Sequence, residues 1–159
     1  MPKKSAGLLM FRRSTAGRAE VLLAHPGGPF WARKDDGAWT IPKGECAEAE
    51  DALEAAKREF VEETGFAVAE PFIPLGSLKQ PSGKVVSIWA FESDCDPATL
   101  VSNDFEMEWP LKSGRRTSFP EIDSARWFGL DEAAAKLSKG QVPFLDRLAE
   151  ALRRDGRAI

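Results

Sequence analysis

Residues 44–66 read GECAEAEDALEAAKREFVEETGF, and three carboxylates near the end of that stretch decide how the chain is read. Glu59, Glu62 and Glu63 stand at i, i+3 and i+4. Each residue of an α-helix turns the chain by roughly 100°, so the three side chains share one face. Like charges so close repel, and the helix alone gains nothing from them. A hard divalent cation would turn that repulsion into binding, because Mg²⁺ is held by carboxylate oxygens together with substrate phosphates. The plainer alternative is a solvated acidic face, and the neighbouring residues argue against it.

Those neighbours carry the signals of a loop, a helix and a turn. Asp51 followed by Glu54 is a variant capping box that starts the helix near Ala52. Ala52, Ala55, Ala56 and Phe60 supply a narrow apolar face, small enough to lie close against a sheet. Gly65 follows the last helical residue, where a left-handed cap favours glycine. Glu50 falls in the loop before the helix and can fold back on Arg58 as a brace for the acidic face. Gly44 opens the loop, where a missing side chain lets backbone carbonyls approach a metal or phosphate.

The stretch resembles the signature of the Nudix hydrolases, G-x5-E-x7-R-E-U-x-E-E-x-G-U, with U a bulky apolar residue. Gly44, Glu50, Arg58, Glu59, Phe60, Glu62, Glu63, Gly65 and Phe66 match it without a gap or substitution. The resemblance implies an α/β/α sandwich with a mixed sheet and a loop–helix–loop catalytic motif. It implies that Glu59, Glu62 and Glu63 ligate Mg²⁺ or Mn²⁺, that the Gly44 carbonyl joins them, and that Glu50 and Arg58 orient them. Lys43 stands in TrpThrIleProLysGly, where many relatives have a second glycine. The Pro-Lys-Gly variant resembles enzymes acting on diadenosine polyphosphates.

The remaining chain sets bounds. Its 159 residues suggest one domain, spanning 1–159, with enough core to need no staples. A net charge of −3 argues against a general nucleic-acid surface. Cys46 and Cys95 form no metal-ligand spacing and suggest no disulfide framework. No apolar run approaches a membrane span, and MetProLysLys leads into a strand rather than a signal peptide, so a cytoplasmic location is expected. Strands are expected at Ala6–Phe11, Ala19–Ala24, Trp39–Ile41 and Ala125–Phe128. A hairpin is expected from Leu75–Lys79 and Val85–Phe91, turning at Pro81, Ser82 and Gly83. Asp94–Pro120 reads as long and irregular, which in a compact domain suggests function. Asp131 is expected to cap a helix ending near Gly140, and Leu145, Leu148, Ala149 and Leu152 mark a terminal amphipathic helix with a frayed tail after Arg153.

Cleaving a diphosphate requires neutralising its oxygens and positioning a water whose proton a carboxylate accepts. Spacing does not say which; the resemblance implies a signature glutamate, Glu62 or Glu63, or one on a later loop, for which Glu121 is the candidate, with Glu106 and Glu108 behind it. Lys43 offers a cation to polyphosphate oxygens. Arg115 and Arg116 would serve distal phosphates, and Trp39, Trp31 or Phe30 a base. His25 reads as a strand-end packing residue, and Trp89 and Trp127 as core. The leading reading is a metal-dependent pyrophosphohydrolase of a dinucleoside polyphosphate such as diadenosine tetraphosphate. Alternatives are a sanitising nucleoside triphosphate pyrophosphatase, an RNA-end or inositol pyrophosphate hydrolase, and, in a different class, a non-catalytic ligand-binding module. The expected partner is a small nucleotide or polyphosphate, with no stable nucleic-acid complex and no membrane, the protein being a monomer or homodimer.

Overall fold

A computed structural model describes residues 3–156. Met1 and Pro2, and the tail beyond Gly156, lie outside the described residues, as do the expectations that fall on them. The strands are β1 (Lys4–Arg13), β2 (Ala19–Pro26), β3 (Lys43–Glu45), β4 (Ile73–Lys79), β5 (Val85–Glu92), β6 (Asp104–Glu108), β7 (Arg116–Pro120) and β8 (Ile122–Gly129). The α-helices are α1 (Ala52–Thr64), α2 (Leu130–Lys136) and α3 (Pro143–Arg154).

The sheet grows from β1, whose run AlaGlyLeuLeuMetPhe has no polar face. Such a strand is stable only when both faces are covered. Ala6, Leu8 and Met10 face a cluster with Ala55, Ala56 and Phe60 of α1. Leu9 and Phe11 face a second cluster with Phe144, Leu145 and Leu148 of α3. The strand order is β4-β5-β1-β2-β8, with β1 and β5 parallel and the other neighbours antiparallel. The expected mixed sheet between helical layers is the observed architecture. Among the described residues no helix is long and apolar enough to cross a membrane.

The edge of β1 is divided, and that division positions the signature. Phe11–Arg13 pair with β2, while Ser5–Gly7 pair with β3. The two partners diverge, and residues 40–42 lie between them. Thr40 exchanges backbone hydrogen bonds with Ala24 of β2 at 2.8 and 2.9 Å, and Leu8 N–H donates to Pro42 O at 3.2 Å. The brief strand expected at Trp39–Ile41 is therefore only two isolated bridges, Thr40 to Ala24 and Trp39 to Leu137. Pro42, which lacks an N–H, follows it, and the strand is displaced to Lys43–Glu45. Gly44 accordingly sits inside a strand, not at the start of a loop.

Two other expectations are corrected. Asp94–Pro120 is not irregular throughout: it holds a 3-10 turn at Pro97–Thr99 and the antiparallel pair β6–β7. This ribbon alternates apolar and polar residues only over five-residue strands, a weak signal beside the stronger runs of the main sheet. Asp131 is not a cap, since Gly129 holds that position without a side-chain bond, and α2 ends at Lys136 instead of near Gly140. Asp131 lies in the first turn, where its charge still favours the helix dipole.

The signature helix begins and ends as its sequence directs. Asp51 Oδ2 accepts from Glu54 N–H at 3.1 Å, and Gly65 closes the helix at φ 74° with its N–H on Val61 O. Phe60 is fully buried and meets Phe91 edge to face at 5.4 Å, which locks α1 to β5. Phe60→Ala should therefore lower unfolding free energy by about 3–5 kcal/mol in chemical denaturation. A loss below about 1 kcal/mol would mean that α1 is held by its caps and not by this contact.

Candidate active site

Four carboxylates meet where α1 faces the β7–β8 junction. They are Glu59, Glu62, Glu63 and Glu121, and Arg58 pairs with the first two while a fifth, Glu50, braces it. Its Nε and one terminal nitrogen donate to both oxygens of Glu50 at 3.0 Å each, a bidentate pair. The other terminal nitrogen donates to Glu59 at 2.9 Å and, more weakly, to Glu62 at 3.4 Å. Glu50 also accepts from Ala47 N–H at 2.9 Å, which fixes the brace to the loop. Arg58 first, and then the Ala47 N–H, hold the Glu50 carboxyl below its ordinary range.

Glu63 is the anomaly. It is buried, and its Oε2 has no hydrogen-bond partner. Burial, then the charges of Glu59 and Glu121, push its pKa up to about 8. The Lys43 ammonium and the hydrogen bond from Lys43 N–H oppose that rise without cancelling it. An orphaned buried carboxylate oxygen beside two further carboxylates suits a cation. Among the described residues, no three acidic, His or Cys side chains converge as a ready-made metal cage. Arg58 draws Glu59 and Glu62 towards itself, so a metal would have to gather them. The residues fit a divalent ion in chemistry, with their convergence left to binding.

The strand pairing corrects the expectation for Gly44. Leu8–Pro42 and Lys4–Cys46 are hydrogen-bonded positions of the β1–β3 ladder, and Gly44 lies in the same alternating set. Its backbone groups turn towards β1. Those of Lys43 turn outwards, which is why Lys43 N–H reaches Glu63. The carbonyl facing the carboxylates is thus that of Lys43. What Gly44 supplies is room, because a Cβ there would fall on the Glu59 carboxylate.

Glu121 reaches the cluster through a chain of backbone bonds. Asn103 N–H donates to Glu62 O at 2.9 Å, Glu121 N–H to Asn103 O at 2.8 Å, and Gly27 N–H to Glu121 O at 2.8 Å. Val101 N–H takes Thr64 O at 3.0 Å. Segment 101–103 thereby satisfies carbonyls that the end of α1 leaves open, and it ties Glu121 to that end. Burial, then the charges of Glu59 and Glu62, raise the Glu121 pKa. Sequence reasoning missed Val101, Ser102 and Asn103, and no local signal marks them.

Lys43 is half-buried over Gly7. Burial and then the charge of Lys84 lower its pKa, against the pull of Glu63 and Glu59. Lys84, which the sequence did not single out, also pairs with Glu45 at 3.6 Å.

Other expected residues lie elsewhere. Trp39 is 4% exposed, edge-on to His25 and Phe128 at 5.1 Å each, with its N–H on Asp35 at 2.8 Å, so it packs the core and offers no face to a base. His25 is buried with its ring nitrogens on Asp123 at 2.9 Å and the Lys34 carbonyl at 2.6 Å, a packing role as expected. Arg115 is in the β6–β7 turn, and Arg116 opens β7 directly across from Glu108. Both are exposed, and their hydrogen bonds and pairing shown here do not join them to the carboxylate cluster. Glu108 accepts from Lys112 and Gly114 N–H at 2.9 and 3.2 Å, so its carboxylate shapes the turn. Glu106 is exposed on β6.

Comparison with known proteins bears on the family and the fold. The family model described as NUDIX domain matches residues 1–148. No curated protein matches the chain. The solved structures it resembles include a Caenorhabditis elegans Ap4A hydrolase binary complex (22% identity, 94% of this chain and 98% of that one, TM-score 0.65). They include the NUDIX domain of Shewanella oneidensis NrtR with ADP ribose (15% identity, 96% and 89%, TM-score 0.67). A Nudix hydrolase from M. smegmatis, RenU, is similar at 22% identity over 95% and 86% of the two chains, with TM-score 0.60. At these identities the likeness is one of fold.

The Glu63 carboxyl has its folded pKa raised from 4.5 to about 8. Its contribution to stability is therefore full below the unfolded value and is lost as pH rises through the folded one. Without divalent metal, stability should fall between about pH 4.5 and pH 8, by at most about 1.4 kcal/mol per unit. Glu63→Gln should flatten that slope. Thermal melts across the window check it, and identical slopes in both proteins would remove Glu63 as the cause.

Proposed function

The chain belongs to the NUDIX domain family and is a pyrophosphohydrolase, and from that premise we propose that its substrate is a dinucleoside polyphosphate such as diadenosine tetraphosphate. The observation that carries this reading is Lys43, half-buried among the fields of Glu59, Glu63 and Lys84. A triphosphate needs few cations beyond a metal, whereas a longer chain has further oxygens to neutralise. Lys43 and Lys84 supply point charges for them. The fold likeness to an Ap4A hydrolase supports the same substrate class.

Glu59, Glu62 and Glu63, with the outward Lys43 carbonyl, would hold Mg²⁺ or Mn²⁺. Such an ion neutralises phosphate oxygens and lowers the pKa of a bound water. Arg58 and Glu50 orient the ligands, and Gly44 leaves space for Glu59. Glu121 is the proposed general base. It approaches from another element, its proton affinity is raised, and it is neither buried nor fully exposed. The water oxygen bonds to phosphorus, its proton passes to the Glu121 carboxylate, and the bridging P–O bond breaks with its electrons on the departing nucleotide. The free thiols of Cys46 and Cys95 and the nucleotide substrate favour a cytoplasmic location.

Incubation with Mg²⁺ and a panel of diadenosine tetraphosphate, nucleoside triphosphates, ADP-ribose and inositol pyrophosphates tests the substrate. Chromatography should show ATP and AMP from the dinucleotide, while cleavage of nucleoside triphosphates alone would reject the reading. Glu121→Gln should lower kcat about 10²–10⁴-fold with Mg²⁺ affinity little changed. Glu62→Gln should weaken Mg²⁺ binding as well as turnover. Full Mg²⁺-dependent hydrolysis by Glu62→Gln would reject its assignment as a ligand.

A further inference from the structure

The β6–β7 ribbon is amphipathic. Phe105, Met107 and Trp109 alternate along one half-buried face, with Thr117 and Phe119 across from them. Asp104, Glu106, Glu108 and Arg116 take the exposed face. The apolar side covers the loop of residues 26–37. A Cβ on Gly28 would lie 3.0 Å from the Phe105 ring, and two residues later Phe30 meets Trp109 edge to face, centroids 5.7 Å apart and planes at 81°. Trp109 is fixed by its backbone, donating to Arg115 O at 2.9 Å and accepting from the Thr117 hydroxyl at 3.1 Å. Phe30 nonetheless remains 52% exposed. Two nearly perpendicular rings, one fixed and one half in water, make a corner in which a flat heteroaromatic ring stacks on one face and abuts the other.

The corner lies along the ribbon from the end that joins Glu121. Asp104 pairs with Pro120, the residue before Glu121. Trp109 lies five residue steps further along the ribbon, roughly 16 Å at the usual strand rise. That is the reach of a group joined to the cleaved bond through several phosphates, not of one adjoining it. We propose that Phe30 and Trp109 bind the nucleobase at the far end of the substrate's phosphate chain, so that the protein distinguishes compounds with a base at both ends from those with a base at one. The assignment rests on the dinucleoside polyphosphate reading. It replaces Trp39, whose rings are enclosed, with two aromatics on the rim.

The test compares diadenosine tetraphosphate with adenosine tetraphosphate, which has the same chain and one base fewer. Phe30→Ala should raise KM for the dinucleotide about ten-fold, within the usual worth of a base–aromatic stack, while leaving kcat for it and KM for adenosine tetraphosphate within about two-fold. Trp109→Ala should do the same, and Trp109→Phe should restore most of the loss, which a collapsed ribbon would not allow. Equal KM changes for both substrates, or none in Phe30→Ala, would overturn the proposal. A changed sedimentation coefficient with unchanged KM would overturn it too, by making the corner a contact between copies of the chain. If the wild-type protein cleaves no dinucleotide, the substrate reading fails by itself, and calorimetric titration with diadenosine tetraphosphate then reads the corner directly. Weaker binding by Phe30→Ala supports the assignment; equal binding, or none by the wild type, overturns it.

Discussion

Carboxylates gathered in one place push each other apart, and Arg58 is the group that holds most of this gathering together. Its bidentate grip on Glu50 anchors the guanidinium, leaving a nitrogen to share between Glu59 and Glu62. A planar fork can do this where a lysine cannot, because its donors point in fixed and different directions. Removing the positive charge would leave Glu59, Glu62, Glu63 and Glu121 to repel across a partly buried space. Arg58 does not reach Glu63, whose proton affinity is raised by burial first and then by the charges of Glu59 and Glu121.

The frame that tolerates this repulsion is assembled from both directions. Phe60 and the small alanines fasten α1 to the sheet, so the helix cannot drift outwards to relieve the charges. At its far end the carbonyls of Glu62 and Thr64 receive N–H groups from segment 101–103, and the same segment leads to Glu121. One set of backbone bonds therefore closes the helix and delivers a carboxylate from a distant part of the chain. The loop before β3 joins through Gly27, whose N–H donates to Glu121 O and which lies close against Pro120.

Much of this was legible in the amino-acid order wherever a feature is local. Asp51 and Gly65 bound the helix and Glu50 folds back on Arg58 because their partners are near along the chain, and the helical period puts Ala55, Ala56 and Phe60 on one apolar face. The misreadings have a common origin in non-local pairing. Trp39 is enclosed because β2, α2 and the Asp35 carboxylate converge on it, and the strand beside it moved because β1 splits its edge between two partners. The β6–β7 ribbon escaped notice because short strands acquire their meaning only from the loop they cover. Gly44 was rightly required to be glycine, but for the Glu59 carboxylate it accommodates and not for a carbonyl it presents.

Spacing by itself determined that Glu59, Glu62 and Glu63 share a helix face, since helical geometry makes neighbours of residues three and four apart. The same stretch set the caps of that helix and carries the resemblance to the Nudix signature. Only tertiary structure decided which of the three loses water, which backbone carbonyl faces them, and that Glu121 comes from across the fold to join them. Those outcomes depend on burial and on the register of β3 against β1, and on hydrogen bonds between segments far apart in sequence. Such contacts are formed by the folded chain as a whole, and no short stretch of residues encodes them.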